Sequence, residues 1–381
     1  MWYNMHMASL DQTPSANRVH IAFFGLRNAG KSTLVNEFTG QPLAIVSDTP
    51  GTTTDPVSKA MEILPLGPCL VTDTAGLDDE GELGAKRVDK TLAVLATTDI
   101  AVWVGDGFDK WRGRFTVPVL EFRRGDSVER LKEQIASMKL ADATPGLLDG
   151  LVESGGRVVC VCPIDESAPK GRLILPQVQL IRDCLDRHAT ANVCQPGELA
   201  SALGREGPGA LVVTDSQAFG AVREVVRRFE GVRLTSFSIL FARQKGDLAE
   251  FLKGVEAVKN LKDGDSVLIA EGCTHHRQCN DIGTVKIPKA IAKLTNGKKL
   301  NFVFSSGTGY PLDSRPSAGA ERPAPGANLV VHCGGCMLTR REVLRRVAVA
   351  KEAGVPIVNY GILLAAACGM TDVSPEGIVR T

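Results

Sequence analysis

Two groups of residues in this 381-residue chain have the types and spacing to do chemistry. The first is Cys333-Gly-Gly-Cys336, at the end of a short apolar run from Leu329 to Val331. Two glycines between cysteines remove Cβ crowding and let the backbone curl around an inorganic centre. A third cysteine, Cys273, lies far upstream in a similar place, after the apolar run from Val267 to Ala270. Two strand ends of a parallel sheet can bring these sulfurs together. Three thiolates plus an open position suit an iron-sulfur cluster or zinc. His275 and His332, close to the cysteines in sequence, are candidates for a weak fourth ligand or for hydrogen-bond donors behind the sulfurs. His276 and Cys279 read as a polar loop residue and a spare thiol.

The second group begins with an apolar strand, Val19 to Phe24, that runs into Gly25-Leu-Arg-Asn28-Ala29-Gly30-Lys31-Ser32 and then a helical segment. This is a complete P-loop pattern. Backbone N–H groups of Gly25, Asn28, Ala29, Gly30 and the helix start through Thr33 can cradle phosphates. Lys31 reaches the β- and γ-phosphates, and Ser32 ligates Mg²⁺. Thr52 and Thr53 lie in a threonine-rich loop, Pro50 to Asp55, able to fold over Mg²⁺ and γ-phosphate. Asp73-Thr-Ala-Gly76 follows an apolar run; Asp73 would hold Mg²⁺ through water and Gly76 would donate its N–H to the γ-phosphate. Lys31, Thr53, Asp73 and Gly76 are thus the catalytic candidates for triphosphate hydrolysis.

In this order the motifs resemble a translation-factor-like GTPase domain across residues 19–106. The resemblance implies GTP and Mg²⁺ as ligands. Leu77 stands where Ras-like proteins have a catalytic Gln. Asn28 matches the GTPases that place K⁺ near the phosphates in lieu of an arginine finger. Beyond the strand from Ile100 to Val104 the pattern breaks. A GTPase continues with a helix, a strand and Asn-Lys-x-Asp, whose Asp pairs with guanine. No such motif occurs between Val104 and Arg157, and the chain goes directly to a short run, Val117 to Phe122, and a helical Ser127 to Met138. The expectation is reduced guanine selectivity and slow hydrolysis, unless another segment, such as Asp106 to Arg114, reads the base.

The bulk numbers exclude several classes. Net charge is +1 and aromatics are 5%, without the basic and aromatic interleaving of a nucleic-acid binder. No apolar run reaches the roughly 18–20 residues of a membrane span. Met1 to Arg18 lacks the apolar centre of a secretory signal, so the sequence points to a reducing cytoplasm. The ten cysteines are then not a disulfide framework, and Cys69, Cys160, Cys184, Cys194 and Cys368 read as small core residues.

The elements that must position these residues alternate between strand and helix. The predicted fold class is α/β in three domains, a P-loop GTPase-like domain followed by two parallel-sheet domains, the last carrying the cluster. The predicted limits are a tail at 1–18, a nucleotide domain at 19–140, a linker at 141–156, a dimerisation domain at 157–264 and a cluster-binding domain at 265–381. Strands are predicted at Arg157 to Val161, Ala191 to Val193, Ala210 to Thr214 and Leu234 to Leu240. The last 20 or so residues read as a short apolar tail after a strand from Pro356 to Tyr360. The middle domain offers no nucleophile–base pair, which suits a structural or homodimerising module.

A GTPase domain followed by Cys-x-His and, much later, His332-Cys333-x-x-Cys336 resembles the FeFe-hydrogenase maturation GTPase family, HydF. Ala168-Pro-Lys-Gly-Arg-Leu-Ile-Leu-Pro-Gln-Val-Gln, Thr214-Asp-Ser-Gln-Ala-Phe, Leu234-Thr-Ser-Phe-Ser-Ile-Leu-Phe-Ala-Arg and Asn359-Tyr-Gly are similar to that family's later domains. The resemblance implies a homodimeric scaffold with a 4Fe-4S cluster on Cys273, Cys333 and Cys336. Such a scaffold receives a transient diiron subcluster precursor from radical-SAM maturases and delivers it to apo FeFe-hydrogenase, with no nucleic acid or membrane involved. Two other classes remain open at this point: a GTPase whose cluster is only structural, and a zinc-containing regulatory P-loop NTPase not involved in cluster transfer.

Overall fold

The computed structural model describes residues 17–40, 56–79, 81–138, 144–164, 173–215, 218–272, 281–307, 310–312, 326–335, 338–370 and 372–379. Thr52, Thr53, Cys273, His275 and Cys336 lie outside the described residues.

The first domain is built on β1 (Val19–Gly25), α1 (Lys31–Thr39), β2 (Val57–Ile63), β3 (Gly67–Asp73), α2 (Gly81–Thr97), β4 (Ile100–Val104), β5 (Val119–Phe122) and α3 (Val128–Ser137). The strand order is β2-β3-β1-β4-β5. Only β2 runs antiparallel, paired with β3 from Val57 opposite Asp73 to Ile63 opposite Gly67. Side chains alternate across β1, so Ile21 and Phe23 enter one core layer with Leu34, Phe38, Val102 and Ile135. Ala22 and Phe24 enter the opposite layer with Trp103, Phe108 and Leu77. Both faces being covered, the strand is apolar from Ile21 to Phe24, as central parallel strands are. Between β4 and β5 the connection is two 3₁₀ turns, Phe108–Lys110 and Arg112–Arg114. These turns pack Phe108 against Trp103 with ring centroids 5.4 Å apart. The short connection still delivers β5 parallel to β4, with Ala101 opposite Val119 and Val104 opposite Phe122.

The second sheet has the order β7-β6-β8-β9. Its strands are β6 (Arg157–Val161), β7 (Thr190–Cys194), β8 (Leu211–Thr214) and β9 (Arg233–Ser236). All pair in parallel. The interleaved helices are α4 (Leu175–Asp186), α5 (Leu199–Glu206) and α6 (Phe219–Val226). The strand expected over Leu234 to Leu240 ends instead at Ser236, where α7 (Phe237–Lys245) begins. The Ser236 hydroxyl accepts from the Ile239 N–H at 3.2 Å and caps the helix. Apolar residues interrupted by Thr235, Ser236 and Ser238 give no clear period by which to separate strand from buried helix, and the capping Ser is the local sign.

The third sheet, ordered β11-β10-β12-β13, comprises β10 (Ser266–Ala270), β11 (Asn301–Ser305), β12 (Leu329–His332) and β13 (Ile357–Asn359), again all parallel. A single π turn, Ile282–Lys286, leads into α9 (Ile287–Leu294). α8 (Leu248–Lys259), α10 (Arg340–Glu352) and α11 (Tyr360–Ala367) complete the set. The stretch after β13, read as a tail, is the helix α11; Asn359 caps it by accepting from the Gly361 N–H at 2.8 Å. α8 falls within the sequence-predicted second domain, yet it lies on β13 so closely that a Cβ on Gly254 would sit 2.1 Å from the Ile357 carbonyl oxygen. Further on, the Val379 N–H donates to the Leu234 carbonyl at 2.8 Å and the Thr235 hydroxyl to the Gly377 carbonyl at 2.6 Å.

Cys69, Cys160 and Cys184 are fully buried as expected. Burial pushes the Cys69 and Cys184 thiols up to about 11 and holds them protonated and inert. Cys194 is half-buried, while Cys368 is exposed, a departure from the core role expected for it; it caps the carboxyl end of α11, where the chain leaves the core. No described helix is long and apolar enough to cross a membrane.

Candidate functional sites: a phosphate loop and a cysteine loop

The P-loop leaves β1 at Gly25 and turns into α1 through Gly30, with Asn28 and Gly30 both at positive φ, 60° and 87°. Lys31 is buried, and its Nζ donates to the Leu26 carbonyl at 2.8 Å and the Gly25 carbonyl at 3.3 Å. Burial lowers its pKa, while Asp73 opposes that shift. Ser32 Oγ donates to Asp73 Oδ2 at 2.6 Å. Asp73 is fully buried, and burial raises its pKa, with the Ser32 hydrogen bond and Lys31 pulling the other way. Its other oxygen, Oδ1, is buried without a hydrogen-bond partner. A buried carboxylate oxygen left unpaired costs about 1–3 kcal/mol or more. An Mg²⁺ shell would satisfy it, so Ser32 and Asp73 fit that ion.

Asp73-Thr-Ala-Gly76 passes close over the P-loop. Thr74 Oγ1 donates to the Phe23 carbonyl at 2.7 Å, which ties the two segments. A Cβ on Gly76 would lie 2.8 Å from the Arg27 nitrogen, so only glycine lets the two backbone segments approach this far. Leu77 is buried in the core beneath. The Arg27 N–H meets Asp78 Oδ1 at 2.5 Å.

Near the P-loop stands an acidic residue that the motif pattern alone does not reveal. The carboxyl end of β5 carries Arg123-Arg-Gly-Asp126. The Gly105 N–H donates to the Phe122 carbonyl at 2.9 Å, and a Cβ on Gly105 would lie 3.4 Å from the Ala29 Cβ. The β5 end therefore stands beside the P-loop. Asp126 is exposed, and its Oδ2 accepts from the Arg123 N–H at 2.7 Å. The available signal is spacing: an apolar strand followed at the fourth position by Asp.

The cysteine loop begins where β12 ends. Cys333 is half-buried, and its Sγ accepts from the Gly272 N–H, at the end of β10, at 3.1 Å. A backbone N–H aimed at a sulfur is the hydrogen bond that tunes iron-sulfur clusters. The Cys333 carbonyl accepts from Asn359 Nδ2 at 3.2 Å and lies 2.7 Å from His332 Nδ1. His332 is fully buried, with its Nε2 3.4 Å from Arg346 Nη1. A guanidinium only donates, which assigns Nε2 as the acceptor and the ring proton to Nδ1. Tyr360 OH donates to Glu271 Oε1 at 3.2 Å, and burial, followed by the Glu271 charge, raises the phenol's pKa. Among the described residues no three His, Cys, Asp or Glu gather as a metal site; Cys273 and Cys336 lie outside them.

Comparison with known proteins separates the three domains in the same order. Residues 20–149 match the family model for a 50S ribosome-binding GTPase. Residues 147–246 match the hydrogen maturase F dimerization domain, and residues 249–374 its tetramerization domain. The chain belongs to the hydrogen maturase F (HydF) family. The HydF models divide the chain between 246 and 249, just ahead of α8. Curated relatives match the GTPase part. GTPase Der of Campylobacter hominis is 40% identical over 87 residues, covering 23% of this chain and 19% of that protein. The tRNA modification GTPase MnmE of Phenylobacterium zucineum is 43% identical over 88 residues, covering 23% and 20%. The chain thus spans about a fifth of the length of these relatives. Among solved structures, Era of Aquifex aeolicus bound to GDP and AlF₄⁻ is 14% identical at a TM-score of 0.25, over 76% of this chain and 92% of that one.

Proposed function

We propose that this HydF-family chain is a hydrogenase maturation factor, a GTP-binding and slowly hydrolysing scaffold for a 4Fe-4S cluster. It takes a diiron subcluster precursor from radical-SAM maturases and passes it to apo FeFe-hydrogenase in the cytoplasm. The observation that carries the reading is the pairing of a P-loop domain with two HydF-type domains, the last of which aims a backbone N–H at Cys333. Cys273, Cys333 and Cys336 would hold the cluster. When bound, it supplies one iron without a thiolate, which can take an exchangeable ligand, as a carrier requires. His332 serves better as an orienting group than as a ligand, because its ring nitrogens face the Cys333 carbonyl and Arg346. His275 remains a candidate fourth ligand. An iron count with EPR on anaerobic protein, with and without GTP, tests the reading. A 4Fe-4S signal is expected; zinc without iron would replace the scaffold by a regulatory NTPase.

On the nucleotide side Lys31, Thr53, Asp73 and Gly76 carry hydrolysis with Mg²⁺, and Asn28 provides a place for K⁺. Asp126 reads guanine in part, through N–H groups of the base edge, without the Asn and Lys that usually accompany such an Asp. Selectivity for GTP over ATP is then reduced, on the order of 10-fold, since one charge-assisted contact is worth roughly 1.5–3 kcal/mol. Asp126→Asn is expected to reverse the preference from GTP to XTP, whose 2-oxo group accepts the new amide's N–H. Calorimetric titration with GTP, ATP and XTP checks this, and an unchanged GTP preference would return base reading to Asp106 to Arg114.

Self-association through residues of the second and third domains completes the scaffold. Light scattering on the whole chain at micromolar concentration is expected to give a homodimer or a larger even assembly, and a clean monomer would contradict it.

A further inference from the structure

Triphosphate hydrolysis needs a group that orients the attacking water. Leu77 cannot be that group, because it is buried with Phe24 and Trp103 and has nothing to accept from water. Three carboxylates lie around the P-loop lysine. Burial lowers the pKa of Lys31, and Asp73, Asp78 and Asp79 all push it back up, so the charge of each reaches that ammonium. Two of the three have other work. Asp73 accepts from Ser32 at 2.6 Å and fits the Mg²⁺ shell. The Asp79 carboxyl is buried, 3.5 Å from Arg87 Nη1 on α2 and 3.9 Å from Arg27 Nε. Asp78 is exposed, and its Oδ1 accepts from the Arg27 N–H at 2.5 Å. The same Arg27 nitrogen is the atom that a Cβ on Gly76 would meet at 2.8 Å. The Asp78 carboxyl therefore stands at the seam between Gly76 and the P-loop, the place that receives the γ-phosphate in the GTPase reading.

We infer that Asp78 orients the water that attacks the γ-phosphate, one residue beyond the place of the missing glutamine. This rests on the GTPase reading above. One carboxylate oxygen stays on the P-loop N–H, and the other accepts a hydrogen bond from the water. The water oxygen bonds to the γ-phosphorus while the bond from that phosphorus to the β–γ bridging oxygen breaks. The electron pair leaves with GDP, and the water's proton goes to the released phosphate. Asp78 ends the reaction as it began. A carboxylate beside a triphosphate is repelled by it, and nearby cations must offset that repulsion. Lys31 is one, and the Arg27 and Arg87 guanidiniums, which Asp79 bridges, are the others. The tether to a backbone N–H fixes the acid without using a side chain of the P-loop.

The test uses the full chain as wild type, Asp78→Ala and Asp78→Asn. Single-turnover hydrolysis of bound GTP and the affinity for GTP are measured separately. In Asp78→Ala hydrolysis is expected to fall about 100-fold, as loss of a group that handles the attacking water predicts. GTP affinity should stay within about threefold, because the contact is made to the water and not to the nucleotide. Asp78→Asn keeps an oxygen acceptor on the same stem and should lose only about tenfold in rate. The side chain is exposed, so both variants should fold, and their retained GTP affinity verifies it. An Asp78→Ala rate equal to wild type overturns the inference. So does a faster rate, which would make the carboxylate a plug on the phosphate seat. A loss of affinity that matches the loss of rate also overturns it, by making the Arg27 contact purely structural. Wild-type protein that binds GTP without hydrolysing it would instead refute the GTPase reading, and the role of Asp78 with it.

Discussion

Replacing Cys333 with alanine is expected to abolish the 4Fe-4S EPR signal and hydrogenase maturation together, and Cys273→Ala and Cys336→Ala are expected to do the same. The expected loss is complete rather than graded. With one sulfur gone, two thiolates hold four irons, and the Gly272 N–H that addressed Cys333 Sγ points into a gap. Cys279→Ala, by contrast, should keep the signal. Anaerobic reconstitution of each variant, followed by iron count, EPR and activation of apo-hydrogenase, reads all of this. A Cys279 variant that loses the cluster while the Cys273 variant keeps it would reassign the ligands. Retained maturation without any cluster would favour a GTPase in which the cluster is only structural.

Lys31→Ala is expected to weaken GTP binding by about 100-fold or more, and hydrolysis with it. Nζ now rests on two loop carbonyls, at 2.8 and 3.3 Å, and a triphosphate would exchange these for charged oxygens. Each charge-assisted bond contributes roughly 1.5–3 kcal/mol, so two of them account for the factor. Calorimetry with and without Mg²⁺ measures it. Ser32→Ala should mimic the absence of Mg²⁺ and leave residual metal-free binding intact, which separates the ion's share from that of the lysine. Equal GTP affinity in wild type and the Lys31 variant would mean that the P-loop is not the phosphate site.

Much of this site is legible in the sequence because its parts are contiguous. A P-loop uses successive backbone N–H groups, so one stretch of sequence, Gly25 to Thr33, specifies it. The thiol spacing of Cys333 and Cys336 is equally local. Asp126 is hidden because a lone Asp matches no motif, and its nearness to the P-loop emerges only once β5 is placed beside β4. The helix after Asn359 is lost in a uniformly apolar run, where periodicity does not distinguish a strand from a buried helix, and the mixed apolar and hydroxyl residues of Leu234 to Leu240 fit either state.

The contact between Val379 and Leu234 bears on how the molecule is made. β9 is the outermost strand of the second sheet, and the segment carrying Val379 reaches it only after the whole third domain has been traversed. During synthesis that strand keeps an open row of N–H and C=O groups until residue 379 has emerged. An open row of this kind is a template for pairing with another chain. A fragment cut at the boundary between the second and third domains would expose it permanently, and its association would mix the native interface with edge-to-edge aggregation. The segment around Val379 thus covers part of that edge late, at Leu234.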